Sequence, residues 1–404
     1  MEKYIKREIE QGIKGFSEQF SAVAVIGPRQ SGKTTTLKKM FAKSHAYYSL
    51  DNTAYRRMAA EDPALFIKDF PERVIIDEIQ YAPDLLSFIK MEIDENPRKK
   101  GRFILTGSQN FLMMKSFTET LAGRMGVLRM PLLSVSELKT ELPHGSTADF
   151  FERACLTGTY PEPALGVKSI TNWYESYLQL YIERDVRTLY NIGNLADFDR
   201  FVRILSGRPG QLLNMSALAS DTGVTVPTVK SWLSILEASG IIYILRPYYS
   251  NTRTRLVKSP KVYFTDIGLV CSLNNITDKV VLYRHSMLGQ IFENFCVMEA
   301  VKVFASGGRR EIFSFFRADK GVEVDLLAEC AGEIIPIEFK ASMEYTPKWA
   351  TGIEAVIKGK IKQKARRGYV ISLRDDAMQI APNTKAAGIF CMIDLFKEVV
   401  GRGS

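Results

Sequence analysis

An apolar run from Ala22 to Ile26 leads directly into Gly27-Pro28-Arg29-Gln30-Ser31-Gly32-Lys33-Thr34, and a helix-forming run from Thr35 to Ala42 follows. The loop satisfies G-x-x-x-x-G-K-[ST] at every fixed position, in the strand–loop–helix setting the pattern needs. This order commits the N-terminal part to an α/β fold with a parallel sheet. Glycines let the backbone turn tightly and approach an anion. Successive N–H groups form a nest for phosphate. The following helix points its N-terminus at the same place, adding ~0.3–1 kcal/mol per charge. The expected ligands are ATP and Mg²⁺. Gly27, Pro28, Arg29, Gln30, Ser31, Gly32, Lys33, Thr34 and Thr35 would surround the phosphates. Lys33 would reach the β- and γ-phosphates, and the Thr34 hydroxyl would ligate the metal.

A second signal is Arg73-Val74-Ile75-Ile76-Asp77-Glu78, β-type residues ending in two adjacent acids. A strand next to the loop would deliver Asp77 toward Mg²⁺ through water, and Glu78 would polarise the attacking water. Arg102-Phe103-Ile104-Leu105-Thr106-Gly107-Ser108 ends in hydroxyls, with two readings open: Thr106 or Ser108 senses the γ-phosphate, or both serve the turn. Arg124, in Leu121-Ala122-Gly123-Arg124 before a strand at Val127 to Met130, stabilises transition-state charge in cis or toward a neighbouring subunit, or is a surface arginine. Asp51, after the strand Ala46 to Leu50, is either at the carboxyl edge where α/β ligands bind or a cap. Residues 3–16 carry Ile5, Ile9, Ile13 and Phe16 at helical spacing.

Tyr4-Ile5-Lys6-Arg7, Gly27 to Thr34, Ile76-Asp77-Glu78-Ile79-Gln80, Leu105-Thr106-Gly107-Ser108 and Leu121-Ala122-Gly123-Arg124 together resemble prokaryotic AAA-like ATPases with a C-terminal DUF4143 domain. The resemblance covers nearly the whole chain and implies an architecture rather than a biological role. Tyr181-Ile182-Glu183-Arg184-Asp185-Val186 resembles the same family.

The 404 residues exceed what one core serves. Four segments are expected: the P-loop ATPase domain at 1–140, a helical linker at 141–194 opening on Glu141-Leu142-Pro143-His144-Gly145-Ser146, a winged helix-turn-helix at 195–284, and an α/β nuclease-like domain at 285–404. Within 141–194, helices are expected from Phe150 to Leu156 and from Asn172 to Tyr190. The aromatic stripe of the latter, Trp173, Tyr174, Tyr177 and Tyr181, reads as core. The winged helix would have helices at Ala196–Leu205 and Ser216–Asp221 and a third capped by Thr225, then a hairpin from Ile241 to Asp266. As a DNA reader it would use Arg246, Arg253, Arg255, Lys258 and Lys261 on phosphate. The third helix offers Thr228, Lys230, Ser231 and Ser234 and no Arg, the commonest base reader. Dimer contact or rigid spacing are the other uses of such a module.

In the last segment, Glu323-Val324-Asp325 and Ile337-Glu338-Phe339-Lys340 lie on two strands joined at Ala331-Gly332-Glu333. Alternation puts Glu338 and Lys340 on one side, with Asp325 beside them. This resembles the D…E-x-K core of PD-(D/E)xK nucleases, with Glu293 in the place of the helix acid. The resemblance implies Mg²⁺ held by Asp325, Glu338 and the Phe339 carbonyl, with Lys340 positioning water. Lys358, Lys360, Lys362, Lys364, Arg366 and Arg367 would follow on a helix and meet a nucleic-acid backbone. A half-exposed strand with no such activity gives the same alternation.

Composition narrows the rest. Net charge is +9, which permits a nucleic-acid partner without demanding one. The five cysteines are scattered without C-x-x-C, so neither a disulfide framework nor a zinc knuckle is indicated, and they read as buried thiols of a cytoplasmic protein. The three histidines are far apart. The N-terminus lacks the apolar core of a signal peptide, and no apolar run approaches the ~18–20 residues of a membrane span. A trans role for Arg124 would require a homo-oligomer.

Overall fold

A computed structural model describes residues 4–108, 120–140, 142, 144–181, 194–248, 259–309, 312–318, 321–330, 332–361 and 363–401. It divides into two compact units. The first comprises Met1–Glu137, Ala238–Gly240 and Phe304–Arg309, and the second Leu138–Glu237, Ile241–Val303 and Arg310–Ser404.

The first unit is a parallel five-stranded sheet. Its strands are β1 Ala22–Gly27, β2 Ala46–Ser49, β3 Val74–Asp77, β4 Phe103–Ser108 and β5 Met125–Arg129, in the order β2-β3-β4-β1-β5. Alternation along β1 divides the core between the two faces. Ala22, Ala24 and Ile26 pack with α3 (Thr53–Glu61), α4 (Pro63–Lys68) and α5 (Leu85–Glu95). Val23 and Val25 pack with Ile9 and Ile13 of α1 (Ile9–Gln19) and Leu37 of α2 (Lys33–Phe41). Strands covered on both faces read as continuous apolar runs, as β1 does. Ile9 and Ile13 are fully buried, so trimming either to Ala would cost ~2–5 kcal/mol.

Two expectations are corrected here. The strand bearing Asp77 is not next to the loop strand, because β4 lies between them. The first helix begins at Ile9 rather than residue 3. Glu10 explains the delay, since its carboxylate accepts the Arg7 N–H at 2.7 Å and so satisfies the backbone just ahead of the helix.

The second unit contains the helices Leu195–Ser206, Met215–Thr222 and Val226–Ala238. Asn194 and Asn214 cap the first two, and the Thr225 hydroxyl accepts the Thr228 N–H at the start of the third. Phe198 and Phe201 close on Trp232 of the third helix, with ring centroids 5.3 and 5.4 Å apart. Antiparallel strands β6 Ile242–Leu245 and β7 Lys261–Phe264 follow. Arg253, Arg255 and Lys258 lie outside the described residues, as do Glu141, Pro143 and residues 182–193. The helix Ile170–Tyr181 buries Tyr174, Tyr177 and Tyr181. Tyr174 donates to buried Asp266, and the Tyr160 and Tyr177 hydroxyls are 2.7 Å apart, so these rings form core. Gly158 sits at φ 81° against the Tyr174 hydroxyl and leaves no room for a Cβ.

The C-terminal sheet has six strands, in the order β12-β13-β11-β10-β9-β8. They are β8 Phe313–Arg317, β9 Glu323–Cys330, β10 Glu333–Lys340, β11 Gly368–Ser372, β12 Met378–Ala381 and β13 Thr384–Ala387. Strands β10, β11 and β13 pair in parallel and the remaining pairs are antiparallel. The basic helix expected through Arg367 does not exist. The helix Thr351–Ala355 continues into one wide turn, Val356–Lys360, where Gly359 adopts φ 102° and ends it. Lys364 is instead bridged to Glu333 in extended backbone, and Arg366 is paired with the same glutamate. Lys362 and the Lys360 side chain lie outside the described residues.

Candidate functional site

The loop after β1 turns on two left-handed residues, Gln30 at φ 56° and Gly32 at φ 92°. Gly32 supplies that conformation at no steric cost, whereas Gln30 holds it against the Cβ clash. Gly27 has a different requirement: a Cβ there would meet the Met130 carbonyl oxygen at 2.5 Å. Ser31 is fully buried, and its Oγ has no hydrogen-bond partner. Lys33 opens α2 and is 6% exposed. Its ammonium turns back over the loop, donating to the Gly27 carbonyl at 3.0 Å and the Pro28 carbonyl at 2.7 Å.

Asp77, buried at the carboxyl end of β3, receives hydroxyls from three elements. Thr34 of α2 donates at 2.9 Å and Tyr47 of β2 at 2.5 Å, and Thr106 of β4 also donates. The crossover of α2 thus brings Thr34 to a strand that is not adjacent to β1. Tyr47 was not foreseen; its signal is weak, because an aromatic in a short strand reads as core. Burial and the Asp77 carboxylate push its phenol above the usual tyrosine range, and Lys38 stands 3.8 Å over its ring.

Glu78 follows at φ 59°, the second non-glycine residue held left-handed near the loop. Its N–H donates to Thr106 Oγ1 at 3.4 Å and its carboxylate accepts Gln80 Nε2. Strain of roughly 1–3 kcal/mol at such a residue persists only where its surroundings enforce it. Thr106 therefore touches both acids. Ser108 is placed by its backbone opposite Gly27, at the same carboxyl edge. Asp51 follows β2 and is exposed, and the cap of α3 is its neighbour Asn52.

Arg7 is a further residue without a role in the sequence reading. Its guanidinium is buried, donating to the Ser31 carbonyl at 2.8 Å, the Pro131 carbonyl at 2.6 Å and Glu137 at 3.0 Å. Arg124 requires a correction. It precedes β5, whose Met125 pairs with Ala22 at the amino end of β1. It therefore stands a strand length, roughly 17 Å, from the loop and cannot serve it in cis. There it holds Asp94 through a two-point pair and lowers that carboxyl's pKa.

In the second unit, Asp325 does lie beside β10: one oxygen accepts the Phe339 N–H at 3.0 Å. Lys340 reaches Glu338 at 2.7 Å. Glu293, on the helix Leu288–Ser306, faces the same place, but Lys261 stands among these acids, 2.9 Å from Glu293. Among the described residues, no group of three His, Cys, Asp or Glu side chains is arranged to hold a metal ion. Among the same residues, no helix is long and apolar enough to cross a membrane. Cys155, Cys271, Cys296 and Cys330 are buried free thiols.

Residues 19–139 match the family model of an AAA domain, and 148–280 and 288–392 match two domains of unknown function, DUF8612 and DUF4143. Uncharacterised proteins of Mycobacterium tuberculosis and Mycobacterium bovis are each 28% identical over 340 residues, covering 83% of this chain and 73% of theirs. Among solved structures, a Walker-type ATPase of Pyrococcus abyssi is 13% identical, with 67% of this chain and 96% of that one covered at a TM-score of 0.42. The Thermotoga maritima RuvB Holliday junction branch migration motor is 16% identical, with 58% and 88% covered at a TM-score of 0.30. The chain thus carries a P-loop ATPase domain of AAA type at 19–139 followed by a C-terminal DUF4143 domain at 288–392.

Proposed function

We propose that this chain is a Mg²⁺-dependent ATP hydrolase whose turnover works on or near DNA. The observation that carries the first part is the convergence of Thr34, Tyr47 and Thr106 on Asp77 beside a loop with an unpartnered buried hydroxyl, Ser31. Ser31 Oγ and the left-handed turn at Gln30 and Gly32 fit a phosphate chain, and the Lys33 ammonium now bonds two loop carbonyls that phosphate oxygens would replace. Thr34 and Asp77 are the residues that would hold Mg²⁺, which would neutralise phosphate charge there. Glu78 takes the proton from the attacking water, and its fixed backbone keeps the carboxylate at the edge of the sheet. Thr106 donates to the Asp77 carboxylate while accepting from the Glu78 backbone N–H, which ties Asp77 to the turn that carries Glu78.

The DNA part is supported by the three helices and two-stranded sheet of 195–264 and by the net charge of +9. Lys230, Ser231 and Ser234 are exposed on the third helix. Short polar groups with one lysine suit phosphate contact rather than base reading. Arg124, half-buried at the amino end of β5 and paired with Asp94, would serve only a neighbouring copy, and only by giving up that pair.

Phosphate release from ATP, measured on the full chain with and without duplex DNA, tests the reading. Wild type should turn over only with Mg²⁺, and Glu78→Gln should bind ATP normally while losing at least ~100-fold in rate. An absence of turnover in wild type that nevertheless binds ATP would replace hydrolysis with a nucleotide switch. DNA should be bound with a steep salt dependence and no sequence preference. Equal retention of DNA at low and high salt would contradict phosphate contact.

A further inference from the structure

Lys261 is 4% exposed, in the middle of three carboxylates. Its Nζ is 2.9 Å from Glu293 Oε1, 3.1 Å from Glu323 Oε1 and 3.5 Å from Asp325 Oδ1. Tyr263, two residues along β7 and so on the same side, donates its hydroxyl to Glu293 at 2.6 Å. The second oxygen of Asp325 is engaged by the Phe339 N–H, and Glu338 is engaged by Lys340. This is the place where the nuclease resemblance implies Mg²⁺. The residues present do not fit that ion. Mg²⁺ demands near-octahedral oxygen at ~2.0–2.1 Å, whereas here a desolvated ammonium already stands between Glu293 and Asp325, and its charge would repel a second cation.

We propose that Lys261 is the resident cation of this cluster, and that the acids serve to clamp the hairpin to the C-terminal sheet instead of holding a catalytic metal. The lysine comes from the stretch matched as DUF8612, and Glu293, Glu323 and Asp325 come from the stretch matched as DUF4143. Backbone bonds run alongside the clamp. Tyr248 N–H donates to the Phe315 carbonyl at 2.7 Å, and Phe315 N–H donates to the Arg246 carbonyl at 3.2 Å, so the segment after β6 extends the edge of the sheet at β8. The hairpin and the sheet thus behave as one body. Asp325 is buried, Glu293 nearly so and Glu323 partly exposed; carboxylates crowded together away from water need a positive partner, and a lysine built into the chain supplies one that no chelator removes. This inference is independent of the reading of the first unit.

Two measurements on the full chain, free of nucleotide, test it. Free Mn²⁺ is followed by its electron paramagnetic resonance signal as protein is added. Glu338 Oε2 is buried without a hydrogen-bond partner, so metal binding has to be measured and not assumed absent. Wild type and Asp325→Asn should leave the same Mn²⁺ signal. A wild type that sequesters one Mn²⁺ which Asp325→Asn does not would overturn the proposal, whatever the stability of any variant. In thermal unfolding, Lys261→Met should melt roughly 5–10 °C lower, because buried acids lose their partner. Adding Glu293→Gln to it should raise the melting point again, since one of the stranded acids is removed. Lys261→Met melting with wild type, or no recovery in the double variant, would also overturn it.

Discussion

Replacing Arg7 by Met preserves most of the side chain's volume and removes its charge and donors. The guanidinium and the Glu137 carboxylate are 3% and 1% exposed, at 3.0 Å. Breaking such a pair from one side costs ~3–5 kcal/mol, chiefly because the remaining charge stays buried. The Ser31 and Pro131 carbonyls lose a donor as well, so the cost belongs at the upper end of that range. For a unit of this size the loss corresponds to a fall of roughly 10–15 °C in melting temperature. Ser31 lies inside the phosphate loop, so the same change should weaken ATP binding about tenfold, through the loop's conformation and not through contact with the nucleotide. Circular dichroism melts of wild type, Arg7→Met, Glu137→Gln and the double variant provide the check. Because the double variant strands no charge, its loss should be ~1–3 kcal/mol smaller than the sum of the singles. Strict additivity, or an Arg7→Met protein melting within about 2 °C of wild type, would refute the reasoning.

Three other changes have defined outcomes. Gln30→Val places a β-branched residue at φ 56° and should cost ~1–2 kcal/mol in a urea unfolding curve, whereas Gln30→Gly should cost nothing. Tyr47→Phe removes one donor from buried Asp77; stability should fall by ~1.5–3 kcal/mol and Mg²⁺-dependent turnover about tenfold, with the affinity for metal-free ATP unchanged. Glu338 is pushed up to about 8 by burial and by Asp325, against the pull of Lys340. A carboxyl whose folded pKa lies above its unfolded value contributes stability that is complete below about pH 4.5 and is lost as pH rises through 8. Glu338→Gln should therefore flatten the decline in stability between pH 5 and 8 and leave the protein more stable than wild type at pH 8; an unchanged pH profile would contradict the assignment.

The phosphate loop was legible because one local pattern dictates strand, turn and helix together. Asp77 and Glu78 were legible for a similar reason, as polar residues ending an apolar run. The sheet order was not: sequence gives strands but not neighbours, so the insertion of β4 between β1 and β3 went unread. The same gap misplaced Arg124, whose distance from the loop depends on which end of β5 it occupies. Arg7 and Tyr47 were missed because their partners, Ser31, Glu137 and Asp77, are remote in sequence. The basic run after Ile357 looked helical by composition, yet Gly359 at positive φ outweighed it. In the C-terminal strands the alternation of Asp325, Glu338 and Lys340 was read correctly, but Lys261 approaches from another segment, and local spacing carries no trace of it.

The central claim is that the loop from Gly27 to Thr35 wraps a triphosphate beside Asp77. Calorimetric titration of the full chain with ATP and Mg²⁺, wild type against Lys33→Ala, tests it most directly. Lys33 gives up two carbonyl bonds to gain phosphate. A bond from the ammonium to a charged phosphate is stronger than one to a neutral carbonyl, and a net gain of ~2 kcal/mol corresponds to about 30-fold in affinity. One site per chain that Lys33→Ala weakens by that factor or more is the predicted result. A wild type that gives no binding heat at any temperature, or a Lys33→Ala chain that binds ATP as wild type does, would contradict it.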